Sequence, residues 1–368
     1  MNRPEHLLPL PRRALVTMSA MLLFATSTAA AFAKDIVYVS VAGERKIKVF
    51  DLSSDGNLTQ TSDFELEGEP GASVVHPSGR FLFAAIRSTG QIVACEINQK
   101  DGALERINLI EAGADPAYLS VHPGGRWLFS AYYKAGKVSV HRINSSGRLN
   151  GWPAHSVATD TKAHAIEVHP SQTVLVPHTG PNAIYQFRFN VRTGLLKPRD
   201  PKLIRTVDGT GPRHIALHPK LDVVYADNEQ GSSVTRFELN AKKGTLTAKE
   251  TVSTLPATFK GKNSCARAAI TLDGRLLFAA NRGHNSIAAF RLDAESGKLA
   301  AAGQYATEDT PRGFALSADG KQLVAAGQGS GRVAVYAVST KSGGPVLKAG
   351  QVLDVGKRPW WVTIHSID

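Results

Sequence analysis

From Ile36 to the C-terminus the chain alternates short apolar runs with polar turns, and the runs come in pairs. The first run of a pair ends in His-Pro or an equivalent. A turn bearing Gly or Asp and a basic residue follows, and a second apolar run completes the unit. The first runs are residues 72–76, 117–122, 164–169, 213–218, 266–271, 312–317 and 360–365. The second are 36–40, 80–85, 126–131, 172–177, 221–226, 275–280 and 321–326. Third runs stand at 46–50, 92–97, 138–143, 184–189, 234–239, 287–292 and 333–338, most of them followed by a Gly-bearing turn and a Leu, as in Gly102-Ala103-Leu104. Runs this short, bounded by Gly, Pro and Asp, predict strands.

Seven repeats at a spacing of about 46 to 54 residues suit four short strands per unit. The chain starts on a second-type run and ends on a first-type run, so residues 360–365 are expected to complete the sheet begun at Ile36. Strands from both termini then close the ring and leave no open end. The expected fold is all-β: a seven-bladed β-propeller occupying residues 34–368 as one domain. The 33 glycines and 19 prolines agree with a turn-rich chain.

The first 33 residues break the pattern. Arg3, Arg12 and Arg13 precede an apolar run from Ala14 to Phe24, and the segment ends Ala31-Phe32-Ala33. A charged start, a short apolar stretch and an A-x-A site read as a signal peptide cleaved after Ala33. The run is too short to span a bilayer, so a periplasmic chain with no membrane partner after cleavage is expected. Arg12-Arg13 is also compatible with twin-arginine export.

The formal net charge is +12, and about +10 remains without the leader. The basic residues are scattered rather than run together, which favours an anionic small molecule over nucleic acid. Cys95 and Cys265 fall in repeats far apart around the ring, so two free thiols are expected. No CxxC, HExxH or finger spacing occurs, so neither metal nor other cofactor is expected.

Aligning the repeats places two rings of residues at one mouth of the central channel. One begins each inner strand: Gly71, Ala117, His164, Arg213, Ala266, Arg312 and Trp360. The other follows each second strand: Arg87, Tyr133, Gly180, Glu229, Arg282 and Gln328. His76, His122, His169 and His218 recur once per blade and read as turn-builders, and Arg80, Arg126 and Arg275 belong to the same turns. His164 has no counterpart in other blades. Arg87, Arg213, Arg282 and Arg312 surround the single carboxylate Glu229 in this alignment. Such a carboxylate stays ionised and suits a general base, and the surplus positive charge suits an anion.

The runs Gly211-Pro212-Arg213-His214-Ile215-Ala216-Leu217-His218-Pro219, Asn228-Glu229, Asn281-Arg282-Gly283-His284, Pro311-Arg312-Gly313-Phe314 and Ala325-Ala326-Gly327-Gln328 resemble the seven-bladed propeller lactonases, over essentially the whole chain beyond the leader. The resemblance implies hydrolysis of an intramolecular sugar ester, 6-phosphogluconolactone or a related lactone, without a metal. A fungal muconate-lactonising relative implies the set His164, Arg213, Glu229 and Arg282 as catalytic. Arg87, Arg312, Gln328 and Tyr133 are then expected to bind substrate. Ala266-Arg267-Ala268 and His178-Thr179-Gly180-Pro181-Asn182 depart from the family pattern near the mouth. Two other readings stay open: a non-enzymatic exported propeller that binds an anionic ligand or partner, and a muconate-type cycloisomerase. A monomer or a dimer is expected.

Overall fold

The computed structural model describes Met1, residues 34–341 and residues 346–367. The expected leader, Met1 apart, lies outside the described residues. The strands gather into seven four-stranded antiparallel sheets, the blades of a propeller. From blade one to blade seven the innermost strands are Pro359–Ile367, Pro70–Val75, Pro116–Val121, Glu167–Val168, Pro212–Leu217, Cys265–Ile270 and Pro311–Leu316. Blade one joins both ends of the chain. Its innermost strand pairs with Lys34–Val41, from Lys34 opposite Ile367 to Val39 opposite Val362.

From blade two onward each second strand is buried along its length, as in Phe81–Ile86 and Leu276–Asn281, because both of its faces meet a neighbouring blade. Seven apolar clusters fill the seams, one between each pair of neighbours around the ring. The core is therefore a wheel of wedges rather than a single centre.

Two expectations are corrected. From blade two onward, the second strands begin one or two residues later than the apolar runs suggest. In blade two the turn is closed by a bond from the His76 amide to the Phe81 carbonyl, which leaves Arg80 in the turn. The innermost strand of blade four, expected at 164–169, shrinks to Glu167–Val168. Pro177 stands opposite its missing part and has no N–H for the ladder, so only an isolated Ala163–His178 bridge remains there, held by bonds from the His164 amide to the Pro177 carbonyl and from the Thr179 amide to the Lys162 carbonyl.

The recurring histidines clasp one blade to the next. His76 Nε2 lies 2.8 Å from the Gly125 carbonyl oxygen, and His218 Nε2 lies 3.2 Å from that of Gly274. The other ring nitrogen accepts backbone N–H groups of its own turn, from Ser78 to His76 and from Lys220 and Leu221 to His218. A nitrogen that accepts an amide proton carries none, so Nε2 is the protonated nitrogen and the ring is neutral. His122 reaches Gln172 and His169 reaches Asp222 in the same sense. In blades six and seven Thr271 and Ser317 take the position and bond Asp273 and Asp319 of their own turns.

His218→Ala is expected to cost about 1–3 kcal/mol in urea unfolding, since it strands the Gly274 carbonyl and two amides. Burial first, and Lys220 second to it among the lowering effects, holds the His218 pKa below its ordinary value, against the Gly274 bond. The contribution is thus complete above about pH 6.5 and is lost as the pH falls below it. Unfolding curves of wild type and variant should converge in acid.

Candidate active site

The innermost strands carry a register irregularity at the same place in six blades. Pro212 pairs with Asn228 and His214 with Asp227, so Arg213 is an extra residue in its strand. Ala117, Arg312 and Trp360 are extra in the same way, and one of Gly71 and Ala72, and one of Ala266 and Arg267, in theirs. A bulge re-aims a side chain that regular alternation would send to the other face. Here it turns consecutive residues toward the channel in two tiers. Gly71, Ala117, His164, Arg213, Arg312 and Trp360 form the tier at the mouth, with Arg87 beside them. His214, Tyr118 and Trp361 meet in the tier beneath.

Glu229 and Arg282 arrive from the ends of the second strands, each fixed by an asparagine just before it. Asn228 donates to Ser233 and Thr235. Asn281 donates to the Thr254 carbonyl and Ser286, and accepts from Thr254 and Asn263. Asn263 also accepts the amides of Gly283 and His284, so the loop before blade six braces the Arg282 turn. Arg282 Nη2 donates to Glu229 Oε1 at 2.5 Å and to the Cys265 carbonyl at 2.9 Å. Arg213 Nε stands 3.8 Å from Glu229 Oε2, an ion pair without a hydrogen bond.

The remaining arginines sit across the mouth. Arg87 pairs with Asp115 at 3.1 Å, and Arg312 donates to Gln328 at 3.3 Å. Both guanidinium groups lie over the Trp360 ring, at 5.2 and 4.4 Å from its centre. The His164 ring meets Tyr133 and His214 edge-on. Tyr133 thus stands one step behind the mouth and reaches it through His164. Of the ring positions expected from sequence, Ala266, Tyr133, Gly180, Glu229, Arg282 and Gln328 do not line the small space at the mouth.

Two further carboxylates belong here. Asp115 neutralises Arg87, and the buried Asp227 accepts the His214 amide. Four arginines therefore face three carboxylates rather than one, and the surplus is a single positive charge. Its effects are distributed over the site. Burial opposes the Glu229 charge, but Arg213 and Arg282 outweigh it and hold the carboxyl below its ordinary pKa. Burial, then Arg282, pulls Arg213 down to about 10. Burial, then Arg213, Arg282 and Arg87, pulls Arg312 down to about 8. Burial and the arginines push His164 and His214 far below the usual histidine range, so both are neutral. Burial raises Asp227 to about 6. Burial is the first cause of the arginine, histidine and Asp227 shifts, and repulsion among the cations adds to it at Arg213, Arg312, His164 and His214.

Four polar atoms of the expected ring residues are shut off from solvent with no hydrogen-bond partner, His164 Nδ1, Arg213 Nε, Glu229 Oε2 and Arg312 Nε, and Asp227 Oδ2 is a further one. Buried polar groups left unpaired are costly and rare, and these four converge on one mouth. They comprise a basic oxygen, an imidazole nitrogen and two cationic donors. The space that His164, Arg213 and Arg312 enclose is about 10 Å³, roughly room for one water. Among the described residues no three His, Cys, Asp or Glu side chains gather to hold a metal ion. Cys265 is buried, unpaired by disulfide and pushed up to about 12 by burial, which makes it a poor nucleophile.

Comparison with known proteins agrees with this architecture. A family model described as Lactonase, 7-bladed beta-propeller matches residues 36–363. The chain is 32% identical over 336 residues to the 6-phosphogluconolactonase of Cronobacter sakazakii, covering 91% of this chain and 99% of that one. It is 33% identical to the 6-phosphogluconolactonase of Xenorhabdus nematophila over 335 residues, 91% of this chain and 100% of the other. The periplasmic gluconolactonase PpgL of Pseudomonas aeruginosa shares the fold, with a TM-score of 0.84 at 24% identity over 91% of this chain and 99% of its own.

Removing the Glu229 charge leaves Arg213 and Arg282 without their counter-ion, and Glu229→Gln should lose about 3 kcal/mol of stability at pH 7. The folded pKa of Glu229 is depressed, so this contribution is present above about pH 4.5 and disappears as the pH falls through the lowered value. Denaturant unfolding of both proteins between pH 3 and 7 measures the difference.

Proposed function

The chain belongs to the seven-bladed β-propeller lactonase family, and we propose that it hydrolyses an anionic sugar lactone of the 6-phosphogluconolactone type to the open-chain acid. The observation that carries this reading is the set of four solvent-excluded, unpartnered atoms at a mouth with one surplus positive charge. Relatives that match the chain along nearly their whole length are 6-phosphogluconolactonases.

The chemistry follows from which atoms are unspent. Glu229 Oε1 is held by Arg282, whereas Oε2 keeps its lone pairs. Oε2 takes a proton from water as the water oxygen bonds to the ester carbonyl carbon. The carbonyl oxygen gains the charge, and Arg213 Nε and Arg282 stabilise it. Collapse breaks the bond from the carbonyl carbon to the ring oxygen. That oxygen recovers the proton from Glu229, and the new acid ionises beside the arginines. Neutral His164 offers Nδ1 to a sugar hydroxyl, with Tyr133 behind its ring. Arg87 and Arg312, with Gln328 holding Arg312, form the anion-binding side. Because the enclosed space is only about water-sized, the lactone ring sits above it, toward solvent.

The leader belongs to the same reading. Export with cleavage after Ala33 delivers a periplasmic enzyme, and among the described residues no helix is long and apolar enough to cross a membrane. Mass spectrometry of the protein recovered from the periplasmic fraction should give a chain starting at Lys34.

Proton release from 6-phosphogluconolactone and from plain gluconolactone tests the reaction, against the spontaneous rate. Glu229→Gln should lower kcat by about 10²–10⁴-fold on both. Arg312→Gln should lower kcat/KM for the phosphorylated lactone about tenfold more than for the plain one. Absence of catalysis above background on both substrates overturns the proposal.

A further inference from the structure

The channel has a second cavity at its other mouth. It measures about 670 Å³ and lies between the innermost strands of blades one, two, three, four, six and seven. Trp361 lines this cavity and also the arginine mouth, so its indole is the partition between them. Gly313 makes that placement feasible, since a Cβ there would come within 2.8 Å of the Trp361 Cα.

The floor is built from the second tier. Tyr118 donates its hydroxyl to Glu167. Arg267 lays its guanidinium over the Trp361 ring, 4.0 Å from the centre. Burial pushes Glu167 up to about 7, against the Tyr118 bond and Arg267. A carboxyl in that range is available as a neutral acid, which leaves the cation less than fully balanced. The Arg267 side chain is partly buried, and its Nη1 is shut off from solvent without a partner. Its only described contact of a specific kind is the indole face.

The walls differ from the floor. Val75, Leu119, Val121, Ile270, Leu316 and Ile364 supply aliphatic surface, and Leu272 stands at the rim, 70% exposed. The wall hydroxyls are already engaged: Ser73 with Thr363, Ser120 with the Ile166 carbonyl, Ser317 with Asp319, Ser366 with Asp35. Blades six and seven, which lack the clasp histidine, border this side, and Ser317 is one of the small residues found there instead. The site is thus an apolar cup of ligand size with one uncommitted guanidinium at its base.

We propose that this cavity is a second binding site, separate from the lactone site, for a small monocarboxylate with an apolar body, its carboxylate on Arg267 and its chain along the aliphatic wall. Arg267 takes no part in the proposed hydrolysis, so binding and catalysis are separately measurable.

Isothermal titration calorimetry of the chain from Lys34 onward, with octanoate and with octanol as its uncharged counterpart, tests the assignment. Octanoate should bind at least tenfold more tightly than octanol. Arg267→Met should abolish that preference. Leu272→Asp, at an exposed rim position that cannot compromise the core, should weaken octanoate several-fold. Both variants should keep wild-type thermal unfolding and the wild-type rate on lactone, and Arg312→Gln should leave octanoate affinity unchanged. Failure of the wild type to bind octanoate at millimolar concentration overturns the proposal. So does equal affinity for octanol, or loss of binding in Arg312→Gln but not in Arg267→Met. None of these outcomes bears on whether the lactone is hydrolysed.

Discussion

A bulge near the start of the innermost strand is the constraint on which the channel depends. A regular strand sends alternate side chains to opposite faces, and in a propeller one of those faces is a seam packed with a neighbouring blade. Arg213 and His214 are adjacent in sequence, yet both reach the channel, because Arg213 is the extra residue between two paired positions. The same device supplies Arg312 and Trp360. Proline precedes all three, at Pro212, Pro311 and Pro359, where a residue without an N–H leaves the ladder unfinished and the chain free to bulge. Without the irregularity, one arginine tier would point into an apolar seam.

Charge at the mouth is then organised in degrees of commitment. Arg87 is paired with Asp115, Arg282 is bonded to Glu229, and Arg213 is near Glu229 but not bonded to it. Arg312 leans on the Trp360 ring and an amide oxygen. The series runs from structural to available. It leaves Arg213 Nε, Arg312 Nε and Glu229 Oε2 without hydrogen-bond partners. Asn228 and Asn281 anchor the two residues that must not move, through buried amide networks rather than through further charge.

Much of this was legible from residues alone. The repeat period gave the blade count, and the odd start and end of the pattern gave the closure of blade one. Subtracting what every repeat shares left Arg213, Glu229, Arg282 and His164 as residues the fold does not need. What stayed hidden has physical causes. His214, Tyr118 and Trp361 follow residues already assigned to the channel, and a period of two sends them elsewhere; a bulge has no signature in the apolar pattern. Asp115 precedes a proline in a loop and carries no repeat signal, although it decides the charge balance. Arg267 was visible as a departure from the family pattern near the mouth, whereas it belongs to the tier facing the opposite cavity. In blade four the apolar run containing His164 has the pattern of a full strand, but Pro177 opposite it breaks the ladder and only Glu167–Val168 remains.

Closure by the last strand also orders events in time. Trp360, against which Arg87 and Arg312 stand, and Trp361, which separates the two cavities, both lie on Pro359–Ile367. Every other strand of the ring is synthesised before them. Up to that point the arginines of blades two, five, six and seven face a gap where a wall will be. A nascent chain therefore lacks that wall and leaves the inner edge of Lys34–Val41 unpaired. The mouth is complete only when Pro359–Ile367 is delivered to Lys34–Val41.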